Sequence, residues 1–114
     1  MCPAGIPAEL NGAVAAIRRW AQRKPSVRSV FVFGSRLRGT HRPDSDLDVA
    51  VAFDVPSGEE PDIFWIDHKR HWEQELTDDV GLSVDLDIAQ PDLAPIVWSY
   101  LQASSVKVYN RAQS

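Results

Sequence analysis

The chain has 114 residues, of which 44% are hydrophobic and 25% charged, a composition typical of a globular protein with one core. Its formal net charge of −4 argues against a general nucleic-acid coat protein, which would normally be basic, so we expect no direct nucleic-acid binding. A single cysteine, Cys2, excludes an internal disulfide. The first residues lack the pattern of a signal peptide, and no stretch reaches the roughly 20 apolar residues of a membrane span. We therefore expect one cytoplasmic domain over residues 1–114, with no membrane association.

The first half of the chain predicts one helix and two strands. Pro7 to Lys24 is predicted to be helical, because apolar residues recur at helical spacing and Pro25 then stops the helix. Val27 to Phe33 is β-branched and aromatic, which is typical of a buried strand. Residues 34–45 contain two glycines and a proline and are predicted to form a loop. Asp46 to Phe53 is predicted to be the second strand.

The second half predicts two more helices and two more strands. Pro61 to Asp79 is a predicted helix, with Phe64, His68, Trp72 and Leu76 forming its inner stripe and Gly81 ending it. Three shorter elements follow: a strand over Leu82 to Ala89, a helix over Pro91 to Leu101 and a strand over Val106 to Tyr109. In the helix, Leu93, Ile96, Val97 and Leu101 are predicted to face inward. The order α-β-β-α-β-α-β predicts an α+β fold, with a mixed sheet of about four strands and helices packed mainly on one face.

Two of the predicted strands carry carboxylates in strict alternation. Side chains along a strand point alternately to its two faces. In the second strand Asp46 and Asp48 therefore lie opposite a face of large apolar residues, and in the third strand Asp85 and Asp87 do the same. If the apolar faces share one core, up to four carboxylates converge on the other surface. Carboxylates that close repel each other, and a hard divalent cation such as Mg²⁺ or Mn²⁺ relieves that repulsion. The alternative is an acidic surface that serves only solubility.

A Gly-Ser pair follows the first strand directly. Glycine at position 34 allows close approach of a ligand to the backbone, and the hydroxyl of Ser35 can bind phosphate oxygens. Arg36, with Arg38 and Arg42, gives the loop a positive charge that suits phosphate. Taken alone, the Gly-Ser pair also fits an ordinary turn, and the arginines also fit a solvated loop.

Taken together, these motifs resemble the signature of the polymerase-β-type nucleotidyltransferases. The resemblance rests on Gly34-Ser35, Gly39, the run Ser45-Asp46-Leu47-Asp48 with its following apolar residues, and Val84-Asp85-Leu86. The spacing is most similar to that of the minimal nucleotidyltransferase (MNT) domains, which are often paired with a HEPN protein in toxin–antitoxin systems. The resemblance covers nearly the whole chain and implies a polymerase-β-like nucleotidyltransferase fold.

The resemblance also implies an activity and a set of roles. The reaction would transfer a nucleoside monophosphate, with AMP from ATP expected, to an acceptor hydroxyl and release pyrophosphate. Asp46 and Asp48 would bind metal, and Asp85 would be the third carboxylate, although the alternation leaves Asp87 as an alternative ligand. Gly34, Ser35, Arg36 and Ser45 would bind the nucleotide.

The acceptor and the partner follow from the resemblance alone. The MNT domains imply a HEPN-type toxin as partner and acceptor, which would make the chain an antitoxin in a homo- or hetero-oligomer. One alternative is an antitoxin that neutralises its partner by binding, without catalysis. The other is a small-molecule nucleotidyltransferase that modifies an antibiotic, which the lack of a further acceptor domain in the sequence disfavours.

Overall fold

The computed structural model of the chain describes residues 8–34, 46–90, 94–103 and 105–111. A short 3-10 turn, Ala8–Leu10, leads into helix α1, Asn11–Gln22. The remaining elements are β1 (Val27–Phe33), β2 (Leu47–Phe53), α2 (Pro61–Val80), β3 (Val84–Ile88), α3 (Pro95–Ala103) and β4 (Ser105–Asn110). The predicted α+β class and the order α-β-β-α-β-α-β are confirmed. No helix in the described part of the chain has the length and apolar character needed to cross a membrane.

The four strands form one mixed sheet in the order β3-β2-β1-β4. β1 runs antiparallel to both β2 and β4, whereas β2 and β3 are parallel. Parallel neighbours need a long crossover connection, and α2 supplies it between β2 and β3. The crossover brings the two predicted carboxylate strands side by side.

One face of the sheet carries the main core. Alternate residues of β1, β2 and β3, among them Val32, Val49 and Leu86, are fully buried there. Helices α1 and α2 cover this face, and their indole rings Trp20 and Trp72 meet edge to face with centroids 5.8 Å apart. As predicted, the stripe of α2 is buried at Phe64, Trp72 and Leu76. Its fourth member, His68, is half-buried and shares a 2.8 Å hydrogen bond with the Phe64 carbonyl.

The short helix α3 packs on the opposite face of the sheet. Leu101 is buried there with Phe33, Ala50, Ala52 and Ala89, and Val97 and Trp98 pack against this second cluster. The small side chains of the two β2 alanines and of Ala89, which follows β3, leave room for the helix. The prediction that Ile96 faces inward is wrong, because its side chain is 69% exposed. Pro95 begins the helix four residues later than predicted, which places Ile96 in the first turn, and Leu93 lies outside the described residues.

Side chains of α2 bind the outer edge of β3. The backbone N–H of Val84 donates to the Thr77 hydroxyl at 3.2 Å, and that of Leu86 donates to Glu73 Oε2 at 2.9 Å. An edge strand otherwise presents unpaired backbone groups to solvent. Because the two anchored amides flank Asp85, these hydrogen bonds also hold its position along the sheet.

Glu75 joins α2 to the end of α1. Its carboxylate accepts hydrogen bonds from Lys24 Nζ at 2.9 Å and from Trp20 Nε1 at 3.3 Å. Burial by itself raises the pKa of Glu75, but these hydrogen bonds and the charges of Lys24 and His71 together hold that pKa below its ordinary 4.5. A carboxyl with a lowered pKa stabilises the folded state above its unfolded pKa, and the contribution is lost as the pH falls through the folded pKa.

Replacing Glu75 with glutamine should therefore lower the free energy of unfolding at pH 7 by about 1 kcal/mol. The difference from the parent should shrink toward zero as the pH falls below 4.5. Urea unfolding across that pH range measures it, with Glu59→Gln in the exposed loop before α2 as the control. A difference that does not change with pH would contradict the ionic role of Glu75.

Candidate active site

Three carboxylates lie in adjacent positions on β2 and β3. In the parallel register Asp48 is the partner of Asp85, and Ala50 is the partner of Asp87. Neighbouring strands lie roughly 4.8 Å apart, so Asp48 and Asp85 stand side by side on one face. Asp87 follows one step along β3 on that same face. We call Asp48, Asp85 and Asp87 the carboxylate corner.

Asp46 immediately precedes β2 and is exposed. The next residue, Leu47, donates its backbone N–H to the Ser83 carbonyl at 2.8 Å. This hydrogen bond ties the start of β2 to the start of β3 and holds the backbone beside Asp46. Asp46 is therefore at the entrance of the carboxylate corner, where a ligand can reach it from solvent.

The carboxylates of the corner differ in their surroundings. Asp85 is exposed, whereas Asp48 and Asp87 are half-buried. Burial raises the pKa of Asp87 above its ordinary 3.8, and the negative charge of Asp85 adds to the rise. On α2, the ammonium of Lys69 opposes this rise and the carboxylate of Glu73 adds to it. A bound cation would relieve the same repulsion.

Gly34 lies directly against the carboxylate of Asp48. Its φ of 82° is in the left-handed region that favours glycine. A Cβ at this position would overlap Asp48 Oδ2. The sequence predicted close approach of a ligand at Gly34, but the neighbour that requires glycine in the described structure is the aspartate itself. The sequence feature that could have indicated this contact is a glycine directly after β1, because β1 pairs with the strand that carries Asp48.

Replacing Gly34 with alanine should therefore displace Asp48 as well as strain the backbone. We expect a loss of about 1–3 kcal/mol in the free energy of unfolding, together with weaker ligand binding or lower activity at the carboxylate corner. Gly81 is a matched control, because it has a φ of 83° but a Cβ added to it would meet no atom within 4 Å. Gly81→Ala should lose stability alone. Equal effects of the two variants on ligand binding or activity would contradict a specific role of the Gly34–Asp48 contact.

The other predicted binding residues, Ser35, Arg36 and Ser45, lie outside the described residues. Within residues 8–34, 46–90, 94–103 and 105–111, no three potential ligands converge closely enough to hold a metal ion by themselves. The donor set nevertheless fits one kind of ion. Carboxylate oxygens without thiolates or imidazoles suit Mg²⁺ or Mn²⁺, and the register places two of them on adjacent strands.

The family model of the nucleotidyltransferase domain matches residues 15–107, which is most of the chain. The chain belongs to this family. The matched range contains the four aspartates of the predicted site, Gly34 and every strand except the end of β4. The resemblance found in the sequence motifs is thereby confirmed at the level of the family. No curated protein sequence matches this nucleotidyltransferase domain.

Solved structures of similar fold include toxin–antitoxin complexes. A toxin–antitoxin structure with AMP-PNP matches with a TM-score of 0.60 and 20% identity, over 88% of this chain and 75% of that chain. An MNT antitoxin in complex with a tri-AMPylated HEPN toxin from Shewanella oneidensis matches with a TM-score of 0.54 and 18% identity, over 89% and 72% of the two chains. At these identities the likeness concerns the fold.

A third similar structure is that of a protein from Sulfolobus solfataricus that carries the name of a nucleotidyltransferase. It matches with a TM-score of 0.56 and 19% identity, over 92% of this chain and 83% of that chain. This nucleotidyltransferase domain thus shares its fold both with antitoxins and with a protein outside those complexes.

Proposed function

We propose that this nucleotidyltransferase domain transfers a nucleoside monophosphate, AMP from ATP, to a hydroxyl group of a HEPN-type toxin and thereby acts as its antitoxin. The observation that carries the proposal is the pairing of Asp48 with Asp85 on adjacent parallel strands, with Gly34 packed against Asp48. Family membership supports the reaction class. The partner and the acceptor are supported by the MNT antitoxin of similar fold that was solved with a tri-AMPylated HEPN toxin.

The proposed roles are those that the resemblance to nucleotidyltransferases implies. Asp46 and Asp48 would hold Mg²⁺ or Mn²⁺ and the triphosphate, with Asp85 as the third carboxylate. Gly34, Ser35, Arg36 and Ser45 would bind phosphate oxygens. A bound divalent cation supplies charge neutralisation on the phosphoryl oxygens. Most of the acceleration would come from holding acceptor and nucleotide in line.

The proposed transfer forms one bond and breaks one bond, and it needs no reactant besides the acceptor and the nucleoside triphosphate. The acceptor oxygen forms a bond to the α-phosphorus, and the bond from that phosphorus to the pyrophosphate oxygen breaks. Asp85 accepts the proton of the attacking hydroxyl, for which its exposed position on β3 is suited. Pyrophosphate leaves with the electron pair of the broken bond.

A transfer assay with a defined partner tests the proposal. The chain is incubated with a purified HEPN-type toxin, with Mg²⁺ and each of the four nucleoside triphosphates in turn. Intact-mass spectrometry should show the partner heavier by one or more AMP units when ATP is present. A stable stoichiometric complex in which the partner keeps its mass with every nucleotide would refute the proposed transfer activity. It would favour an antitoxin that neutralises its partner by binding.

A further inference from the structure

The face of the sheet that carries the carboxylate corner is divided by helix α3. The helix follows β3 at one edge of the sheet and precedes β4 at the other edge. Ala89 and Trp98 belong to the cluster at its beginning, and Ser105, which pairs with Phe33, follows its end. The helix therefore crosses the face from one corner to the opposite one. The carboxylate corner lies on one side of α3, and a second concave region lies on the other side.

This second region is a hollow of about 380 Å³ between α3 and the sheet, and residues of β1, β2 and β4 line it together with Ala89 and Gln90, which follow β3. We call it the α3 hollow. Its floor includes the small side chains of Ser29 and Ala52, which are partners in the β1–β2 register. Two aromatic rings, Phe31 on the sheet and Trp98 on α3, line it as well. Its volume is within the range of small-molecule sites, and the rings offer surfaces on which a planar group can stack.

The charge of the α3 hollow is opposite to that of the protein. Two cationic residues, Arg28 and Lys107, line it, and no carboxylate is among its described lining residues, although the whole chain has a net charge of −4. The Lys107 ammonium lies 5.3 Å from the centroid of the Phe31 ring. Arg28 donates to Asp54 at 3.0 Å, but both side chains of this pair are at least half exposed, so the pair is weak. The guanidinium keeps further donors for an anion.

A hydroxyl on the floor adds a polar group. Ser29 is only 8% exposed, and it is the buried polar residue of the described core. The small area that it does expose lies in the hollow, which it lines. A serine hydroxyl can both donate and accept, so it can form a hydrogen bond to a polar atom of a ligand seated there.

We propose that the α3 hollow binds a small molecule whose planar aromatic ring carries an anionic group. The ring stacks against Trp98 or Phe31, the anionic group lies near Arg28 and Lys107, and the Ser29 hydroxyl forms a hydrogen bond to the ligand. The site is separate from the carboxylate corner, because α3 lies between them. It therefore does not depend on nucleotide transfer.

Two probes test this site and distinguish two sources of the ligand. One is 8-anilinonaphthalene-1-sulfonate, an aromatic sulfonate detected by its own fluorescence, and the other is AMP, followed by calorimetry and by its displacement of the first probe. We expect saturable binding of the sulfonate at one site per chain. Displacement by AMP indicates a nucleotide ligand, whereas sulfonate binding that AMP does not displace indicates an aromatic anion of another kind. Both results support the site, provided that the variants below respond.

The variants compare two lysines on different surfaces. Lys107→Glu should weaken sulfonate binding at least about tenfold, because it reverses a charge at the rim of the hollow. Lys69→Glu makes the same charge change beside another hollow, next to Trp65 on α2, and should leave binding within about twofold. Trp98→Phe, which keeps an aromatic ring in the cluster, should reduce affinity without unfolding the chain. The proposal is overturned if neither probe binds saturably, or if Lys69→Glu weakens binding as much as Lys107→Glu.

Discussion

Replacing Asp46 and Asp48 together with asparagine should lower nucleotide transfer to the partner by about 10³-fold or more. The two carboxylates are proposed to hold the divalent cation and the triphosphate, and neutralising that charge is worth several kcal/mol in the transition state. Each 1.4 kcal/mol corresponds to about tenfold in rate. The fold should remain, because Asp46 is exposed, Asp48 is half-buried and asparagine has nearly the same shape as aspartate.

The measurement combines the rate of label transfer from ATP with thermal unfolding of each variant. A double variant with the same change in charge, Asp67→Asn with Asp78→Asn, is the control, because both of these residues are exposed on α2. The control should transfer at the parental rate. Transfer that survives the change at Asp46 and Asp48, in a folded variant, would refute the proposed mechanism. Equal losses in both double variants would point to a general effect of charge.

Much of the fold was predictable because local pattern and tertiary structure agree. The bounds of β1, Val27–Phe33, are those predicted from its β-branched and aromatic residues. The end of α2 was predicted from Gly81, which has the left-handed conformation at the helix C-terminus. The face shared by the carboxylates was predictable as well, since a period of two fixes which side of a strand each residue occupies.

The register of β3 against β2 could not be predicted from the alternation of residues along each strand. A shift of β3 by two residues would keep Asp85 and Asp87 on their face but change their partners on β2, and in one direction it would place Asp87 beside Asp48. The register is fixed by contacts remote in sequence, among them the side chains of Thr77 and Glu73 that bind the backbone of β3. The position of α3 depended likewise on remote residues, the small side chains of Ala50 and Ala52 on β2. The helix begins only at Pro95, so Ile96 lies exposed in its first turn.

The register predicts a second large effect: Asp85→Asn and Asp87→Asn should differ in their rates of nucleotide transfer. Asp85 is paired with Asp48, whereas Asp87 is paired with Ala50, one step farther from the proposed nucleotide site. We therefore expect Asp85→Asn to lower transfer by about 10²-fold or more, as for loss of a general base. Asp87→Asn should remain within several-fold of the parent.

The two variants also differ in the expected stability. Burial and the negative charge of Asp85 raise the pKa of Asp87 above its ordinary 3.8. At pH 7 the ionised side chain of Asp87 is therefore less favourable in the folded state than in the unfolded state. Asparagine removes that penalty, so Asp87→Asn should raise the free energy of unfolding at pH 7, and the gain should disappear as the pH falls below 3.8.

The transfer rates of the two variants decide which carboxylate acts. They are matched by position, since both residues lie on the same face of one strand and each change removes one negative charge. A large loss in Asp87→Asn with little loss in Asp85→Asn would assign the third carboxylate to Asp87. Large losses in both would mean that the two carboxylates act as a pair, in which case the proton of the acceptor hydroxyl is shared between them rather than accepted by Asp85 alone.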